Sequence, residues 1–247
     1  MLHPRDPLIV ALDVPSAPAA RTIIAELGDL VSIFKVGKQL FTAEGPPIVR
    51  ELVQAGQKVF LDLKFHDIPN TVAQAVTAAA QLGVSMLTVH ASGGAKMLEA
   101  AAKAAAASRS QPQIIAVTVL TSLSDDDLQT IGMSGRVIDQ VLKLAGLARA
   151  SGCSGVVASP QEVRELRREL GEGFAIVTPG VRPVGAEKGD QMRVATPGEA
   201  IAAGATHVVV GRPITEAASP RAAAEAILGE IAQAEHQESV GSRVKSR

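Results

Sequence analysis

Val59-Phe60-Leu61-Asp62-Leu63-Lys64-Phe65-His66-Asp67-Ile68-Pro69-Asn70-Thr71 is the stretch on which the reading of this chain turns. The apolar run Val59 to Leu61 reads as a buried strand, and charge arrives abruptly at its end. Side chains alternate faces along a strand, so Asp62 and Lys64 are expected to point the same way. Asp67 lies beyond the strand, and Pro69 prevents the segment from continuing as a ladder. Asn70 or Thr71 is placed to cap the helical pattern that follows, Val72 to Leu82. Two acids and a lysine within six residues at the mouth of a buried strand are costly to assemble. Taken alone, a surface salt bridge beside a helix cap explains them equally well. The remainder of the chain decides.

Outward from that stretch, eight short apolar or β-branched runs recur: Leu8–Leu12, Ile33–Val36, Val59–Leu63, Met86–Val89, Ile114–Leu120, Gly155–Ala158, Ala175–Val177 and His207–Val210. Helical patterns rich in alanine separate them: Ala17–Leu27, Ala43–Ala55, Val72–Leu82, Ala95–Ala107, Arg136–Ala150, Gln161–Leu170, Gly198–Ala203 and Arg221–Ala234. Ser159-Pro160, Thr196-Pro197 and Ser219-Pro220 place a capping residue before a first-turn proline. Ser159 with Glu162, and Thr196 with Glu199, fit the capping box. Gly28, Gly56, Gly83, Gly152, Gly171 and Gly204 follow helices where a left-handed C-cap would sit. Ser124-Asp125-Asp126-Asp127 predicts a short extra helix after the fifth strand. Near-continuous apolar strands alternating with helices predict a parallel sheet covered on both faces. Eight such units predict a closed (β/α)8 TIM barrel, α/β in class, forming a single domain over residues 1–234. The competing open, doubly wound sheet lacks a G-x-G-x-x-G after its first strand. Residues 235–247 are polar, mix charges and show no periodicity, and are expected to form a disordered tail.

Composition narrows the function. The 247 residues suit one barrel of about 250 residues. Hydrophobic residues make up 47%, ample for a core, whereas aromatics are 2%, with neither Trp nor Tyr. Few stacking platforms and a net charge of -1 argue against nucleic acid as a partner. Cys153 is alone, which excludes an internal disulfide and a thiolate metal cluster. No apolar run approaches the roughly 20 residues of a membrane span, and Met1 to Pro7 does not resemble a signal peptide. A soluble, cytoplasmic protein is expected.

In a barrel of this kind the active site lies at the C-terminal ends of the strands. Polar residues collect there: Asp13, Lys35, Asp62 with Lys64, His90, Thr121 with Ser122, Thr178 to Arg182, and Gly211-Arg212. The N-terminal ends show no comparable charge. Strands seven and eight each finish in glycine plus arginine, Gly180…Arg182 and Gly211-Arg212, a pairing suited to phosphate. Glycine lets backbone N–H groups approach the anion, and arginine adds bidentate charge-assisted bonds. The loop Pro183–Val194 reads equally as a lid, with Gln191 reaching the phosphate, or as an ordinary surface loop. His66 and His90 read as structural or wall residues, and Cys153 carries no chemistry.

The segment V-F-L-D-L-K-F-H-D-I-P-N-T resembles the signature of the orotidine 5′-phosphate decarboxylases, and the likeness runs from Leu8–Asp13 to Val208–Arg212. It implies decarboxylation of orotidine 5′-phosphate to UMP and CO2, the last step of de novo pyrimidine nucleotide synthesis, by a homodimer that completes its active sites across the interface. By resemblance, Asp13 and Lys35 hold the ribose hydroxyls and anchor the charge network, while Asp62 and Lys64 act at C6 of the pyrimidine. Asp67, with Thr71, is supplied by the second subunit. Thr121 and Ser122 lie near the pyrimidine, and Arg182, Gln191, Gly211 and Arg212 bind phosphate. Lys35, Asp62, Lys64 and Asp67 would form an alternating network with formal charge zero. Stabilisation of a C6 carbanion and its protonation by Lys64 require no metal or organic cofactor, and no ligand set stands out in the sequence. A shorter D-x-K-x-x-D also occurs in related barrel enzymes acting on sugar phosphates, usually with Mg²⁺. Lys35 and the Gly180–Gln191 loop favour the decarboxylase. A non-catalytic nucleotide sensor would keep the arginines but leave the Asp62–Lys64–Asp67 cluster without a purpose.

Overall fold

The computed structural model of the chain describes residues 6–183 and 195–245, with side chains through residue 236. Eight parallel strands close on themselves: β1 (Leu8–Ala11), β2 (Ile33–Gly37), β3 (Lys58–Phe65), β4 (Met86–His90), β5 (Gln113–Val117), β6 (Gly155–Val157), β7 (Ala175–Pro179) and β8 (His207–Val210). Each pairs with its sequence neighbour, and β8 returns to β1 through Leu8↔Val208, Ile9↔Val209 and Val10↔Val210. The architecture is the predicted (β/α)8 barrel.

Apolar residues on both faces of every strand are what make this closure stable, because helices cover the outside and side chains fill the inside. Ile9, Ala11, Ile33, Phe60, Met86, Ile115, Val177 and Val209 form the inner cluster. The alternate residues, such as Val10, Phe34, Val59, Leu87 and Val208, face the helices in a larger cluster. The two-residue period then fixes the functional side chains: Lys35 follows Ile33 on the inner face of β2, and Asp62 follows Phe60 on that of β3. Both reach the interior just above the apolar plug.

Several boundaries differ from the sequence reading for identifiable reasons. The predicted helix Ala43–Ala55 is two helices, Lys38–Glu44 and Pro46–Gln54. Gly45-Pro46 divides them, since proline lacks an amide and the residue before it avoids the α region. Asn70 and Thr71 do not cap the next helix. Ile68 occupies the N-cap and Pro69 the first turn of Pro69–Ala80. The fifth strand ends at Val117 rather than Leu120. The capping boxes at Ser159 and Thr196 form as predicted, and the predicted short helix after the fifth strand, Asp125–Thr130, opens with a further box at Ser124. Five of the six C-terminal glycines adopt positive φ, whereas Gly28 is right-handed at φ -65. The last helix runs Pro220–Lys245 and so continues through most of the segment read as a disordered tail. Glu235, Gln237, Glu238, Arg243 and Lys245 are good helix formers there, with no proline to stop the helix.

The N-terminal end of the barrel was expected to lack charge, and it does not. Lys58, the first residue of β3, pairs with Asp6 at 2.6 Å. Buried His207, to which both charges couple, lies at the start of β8. Burial pushes the His207 imidazole down to about 4, so it is neutral at physiological pH. Lys58 escaped notice because it precedes the apolar run from which the strand was read.

Candidate active site

At the opposite rim a chain of charges crosses β1, β2 and β3. Lys35 Nζ donates to Asp13 Oδ1 at 2.9 Å and stands 3.7 Å from Asp62 Oδ2. Lys64 Nζ donates to both oxygens of Asp62, at 2.7 and 2.8 Å. The order is therefore Asp13–Lys35–Asp62–Lys64, alternating in sign and summing to zero. Lys35 is only 8% exposed, so its ammonium is held by these carboxylates rather than by water. Burial pushes the Asp62 carboxyl up, but Lys64 and Lys35 beside it, with hydrogen bonds from Lys64 and Thr88, hold it below the ordinary carboxylate range. Asp62 is an anion at neutral pH.

Plain strand alternation does not explain how Lys64 reaches Asp62. The β3–β4 register passes from Leu61↔Leu87 to Phe65↔Val89, four residues on β3 against two on β4. Within that bulge Lys64 takes a left-handed backbone, φ 56. Such a conformation costs a non-glycine residue roughly 1–2 kcal/mol, and bulges commonly re-aim a side chain beside an active site. Asp62 and Lys64 thus meet through the bulge and not through the strand alternation expected from sequence.

Two further residues belong to this cluster and were missed. Thr88, fully buried on β4, donates its hydroxyl proton to Asp62 Oδ1 at 3.0 Å and accepts the Lys64 amide at 2.8 Å. Its signal was a lone hydroxyl two residues before His90 in an apolar strand. Gly37, paired with Asp62 across β2–β3, leaves room for the ion pair. A Cβ there would lie 2.8 Å from Asp13 Oδ1 and 2.9 Å from Lys35 Nζ.

Two adjoining cavities open onto these charges. The deeper, about 170 Å³, has a mostly apolar wall from Phe60, Val117, Val157 and Val177, together with Asp62, Lys64 and Thr121. The outer, about 580 Å³, runs from Asp13, Lys35 and Asp62 to Gly180, Arg182, Gly211 and Arg212. Lys35, Asp62, Pro179 and Val209 border both. The arginine turns and the charge chain thus face one cleft.

Three of the residues singled out in the sequence stand elsewhere. Ser122 lines neither cavity, because β5 ends early and the chain turns after Thr121. Asp67 is exposed, and its carboxylate accepts the Ile68 amide at 2.6 Å. Among the described residues no ion pair joins it to Lys64; this chain's own network is Lys35, Asp62 and Lys64, extended by Asp13, and the resemblance assigns Asp67 to the site of a second subunit. Thr71 is exposed one turn into the following helix. Gln191 and most of the Pro183–Val194 loop lie outside the described residues. His66 and His90 approach with ring centroids 5.3 Å apart. Burial, then the nearby His66, Lys64 and Lys38 charges, push the His90 imidazole down against the opposing pull of Asp62. Among the described residues no group of three or more His, Cys, Asp or Glu side chains is arranged to hold a metal ion, and no helix is long and apolar enough to cross a membrane.

Comparison with known proteins supplies the family. The model of the orotidine 5′-phosphate decarboxylase / HUMPS family matches residues 6–227. The chain belongs to that family. Among curated relatives, the orotidine 5′-phosphate decarboxylase of Halorhodospira halophila is 56% identical over 227 residues, covering 92% of this chain and 96% of the relative. That of Moorella thermoacetica is 53% identical over 236 residues, covering 93% and 94%. A crystal structure of the decarboxylase from Lactobacillus acidophilus superposes with a TM-score of 0.81 at 43% identity, covering 92% of this chain and 99% of that one. The bulged β3 carrying Asp62 and Lys64 and both arginine turns fall inside the span matched by the decarboxylase family.

Proposed function

We infer that this chain is a carboxy-lyase that converts orotidine 5′-phosphate to UMP and CO2, the closing reaction of pyrimidine nucleotide synthesis. The observation that carries the reading is the neutral alternating chain Asp13–Lys35–Asp62–Lys64 bordering a cleft whose other end holds Arg182 and Arg212. The phosphate takes the arginine end, where glycines allow backbone approach. The ribose lies beside Asp13 and Lys35, and the pyrimidine enters the deeper apolar cavity toward Asp62, Lys64 and Thr121.

The charges then determine the chemistry. A substrate carboxylate seated beside Asp62 adds one negative charge to a set that was balanced without it. Two such charges about 4 Å apart repel by about 4 kcal/mol at an effective dielectric of about 20. Breaking the C6–carboxylate bond releases neutral CO2 and leaves the electron pair on C6. The Lys64 ammonium faces that carbon, stabilises the developing anion and delivers its proton there, and solvent reprotonates the amine. The interaction strengthens as charge develops, which is what lowers the barrier instead of merely tightening binding. Phosphate contacts far from C6 add binding energy that orients the ring and excludes water.

Asp67 and Thr71 fit this scheme as groups presented to a second copy of the chain. Both are exposed, outside this chain's own cavities, and flank Ile68, an apolar side chain 66% exposed. A homodimer completing its sites across that surface would bring Asp67 to the lysine it does not reach within one subunit. A soluble nucleotide substrate accords with a cytoplasmic site of action. The test is loss of orotidylate absorbance with purified protein, with and without EDTA. Decarboxylation unaffected by the chelator supports the assignment. Inactivity toward orotidylate, or complete loss with EDTA, favours a metal-assisted sugar-phosphate enzyme of the same family.

A further inference from the structure

Thr88 belongs to no part of the scheme above, yet it is a fully buried polar side chain in contact with both reacting-end groups. A threonine hydroxyl has one proton and two lone pairs. Here the backbone N–H of Lys64 occupies a lone pair at 2.8 Å. The hydroxyl proton is directed to Asp62 Oδ1, 3.0 Å away. That oxygen, an acceptor, also receives Lys64 Nζ at 2.7 Å. One hydroxyl therefore ties the lysine's backbone, the aspartate's carboxylate and, through the latter, the lysine's ammonium into a single cycle.

The bulge explains why such a tie is needed. Opposite Thr88, β3 carries two residues more than β4 between its paired positions, since Leu61 to Phe65 is four steps against two from Leu87 to Val89. The ladder is interrupted there, and Lys64 sits at φ 56 without the freedom of glycine. A strained residue persists where its surroundings over-determine it, and the Thr88 side chain takes the Lys64 amide where the strand ladder is broken.

We propose that Thr88 is a positioning residue of the decarboxylase site: its hydroxyl fixes the left-handed turn at Lys64 and the carboxylate of Asp62 together, setting where the ammonium stands when the C6 carbanion forms. The proposal rests on the decarboxylase reading but uses a group that lines neither of the two cavities. The same hydroxyl lends Asp62 a donor, so its removal raises the pH at which the aspartate is protonated.

The test compares Thr88→Val, which keeps shape and deletes the hydroxyl, with Thr88→Ser, which keeps the hydroxyl and deletes a methyl. Thr88→Ala serves as a second hydroxyl-free variant should the valine protein not fold. With orotidylate, Thr88→Val and Thr88→Ala are expected to lose about 10- to 100-fold in kcat, the range for a hydrogen bond to a charged group. UMP affinity should remain within about threefold, because the displaced group acts on C6 and not on phosphate. The acid limb of the kcat profile should move to higher pH, and Thr88→Ser should restore kcat to within about threefold. Equal losses in the serine and hydroxyl-free variants would assign the effect to packing and overturn the proposal, as would wild-type kcat in Thr88→Val. An inactive wild-type protein would instead refute the decarboxylase reading. In that case the tie is still tested, since a crystal structure of Thr88→Val retaining φ near 56 at Lys64 would overturn it.

Discussion

Replacing Asp62 by asparagine removes the charge while keeping the side chain's size, and the site's geometry predicts an unusual kinetic signature. Asp62 accepts Lys64 at 2.7 and 2.8 Å and faces Lys35 at 3.7 Å. In the proposed mechanism it is also the group against which the substrate carboxylate is pressed. At a separation of about 4 Å and an effective dielectric of about 20, that repulsion is about 4 kcal/mol, equivalent to roughly a thousandfold in rate. In Asp62→Asn the repulsion vanishes and both lysines become free to pair with the substrate carboxylate. The ground state is stabilised and the ammonium is drawn away from C6. Steady-state kinetics should show kcat lowered by about 10²- to 10³-fold while KM for orotidylate stays level or falls. UMP, which lacks the carboxylate, should bind with nearly unchanged affinity. A variant in which KM rises while kcat is preserved would refute the reasoning, because Asp62 would then be a binding group and nothing more.

Three other outcomes follow from particular contacts. Gly37→Ala should drive the Asp13–Lys35 pair apart, since the new methyl would stand 2.8 and 2.9 Å from its two tips. A loss of about tenfold or more in kcat/KM with little change in Tm is expected, and an unaltered kcat/KM would contradict the crowding argument. Arg212→Ala should raise KM by about 10- to 100-fold through loss of a charge-assisted phosphate contact, with partial recovery in added guanidinium ion. An unchanged KM would remove Arg212 from the phosphate site. Finally, Asp62 has a folded-state pKa below its ordinary value of 3.8, so its contribution to stability is present above about pH 4 and is lost as pH falls through the lower, folded value. Thermal unfolding followed from pH 7 to pH 3 should show a steeper acid decline for the native protein than for Asp62→Asn, and parallel curves would contradict it.

The barrel was legible because its determinants are local and repeated. Each strand is an apolar run, each helix follows within a few residues, and capping boxes at Ser159 and Thr196 mark helix starts to within a residue or two. Lys35 and Asp62 were legible as rim residues because the two-residue period runs unbroken from Ile33 and Phe60. What escaped depended on relations between strands. The bulge at Lys64 is a mismatch between β3 and β4, which no single segment reveals. Thr88 matters because it lies opposite that mismatch, and Gly37 because a carboxylate and an ammonium from different strands occupy the space over it. Asp67 is instructive in the other direction. The resemblance gives it to the site of a second subunit, and within this chain Pro69 and the turn before it carry the carboxylate outward, where it accepts the Ile68 amide. The helix through Lys245 was missed because a polar, aperiodic stretch says little about a helix that extends an already docked one.

The proposed decarboxylation depends most directly on Lys64 as the group that meets the C6 carbanion. Orotidylate turnover by Lys64→Ala, measured alongside its affinity for UMP, isolates that role. Turnover reduced by several orders of magnitude with UMP affinity within about tenfold of wild type is the predicted result. Turnover near the wild-type rate would contradict it.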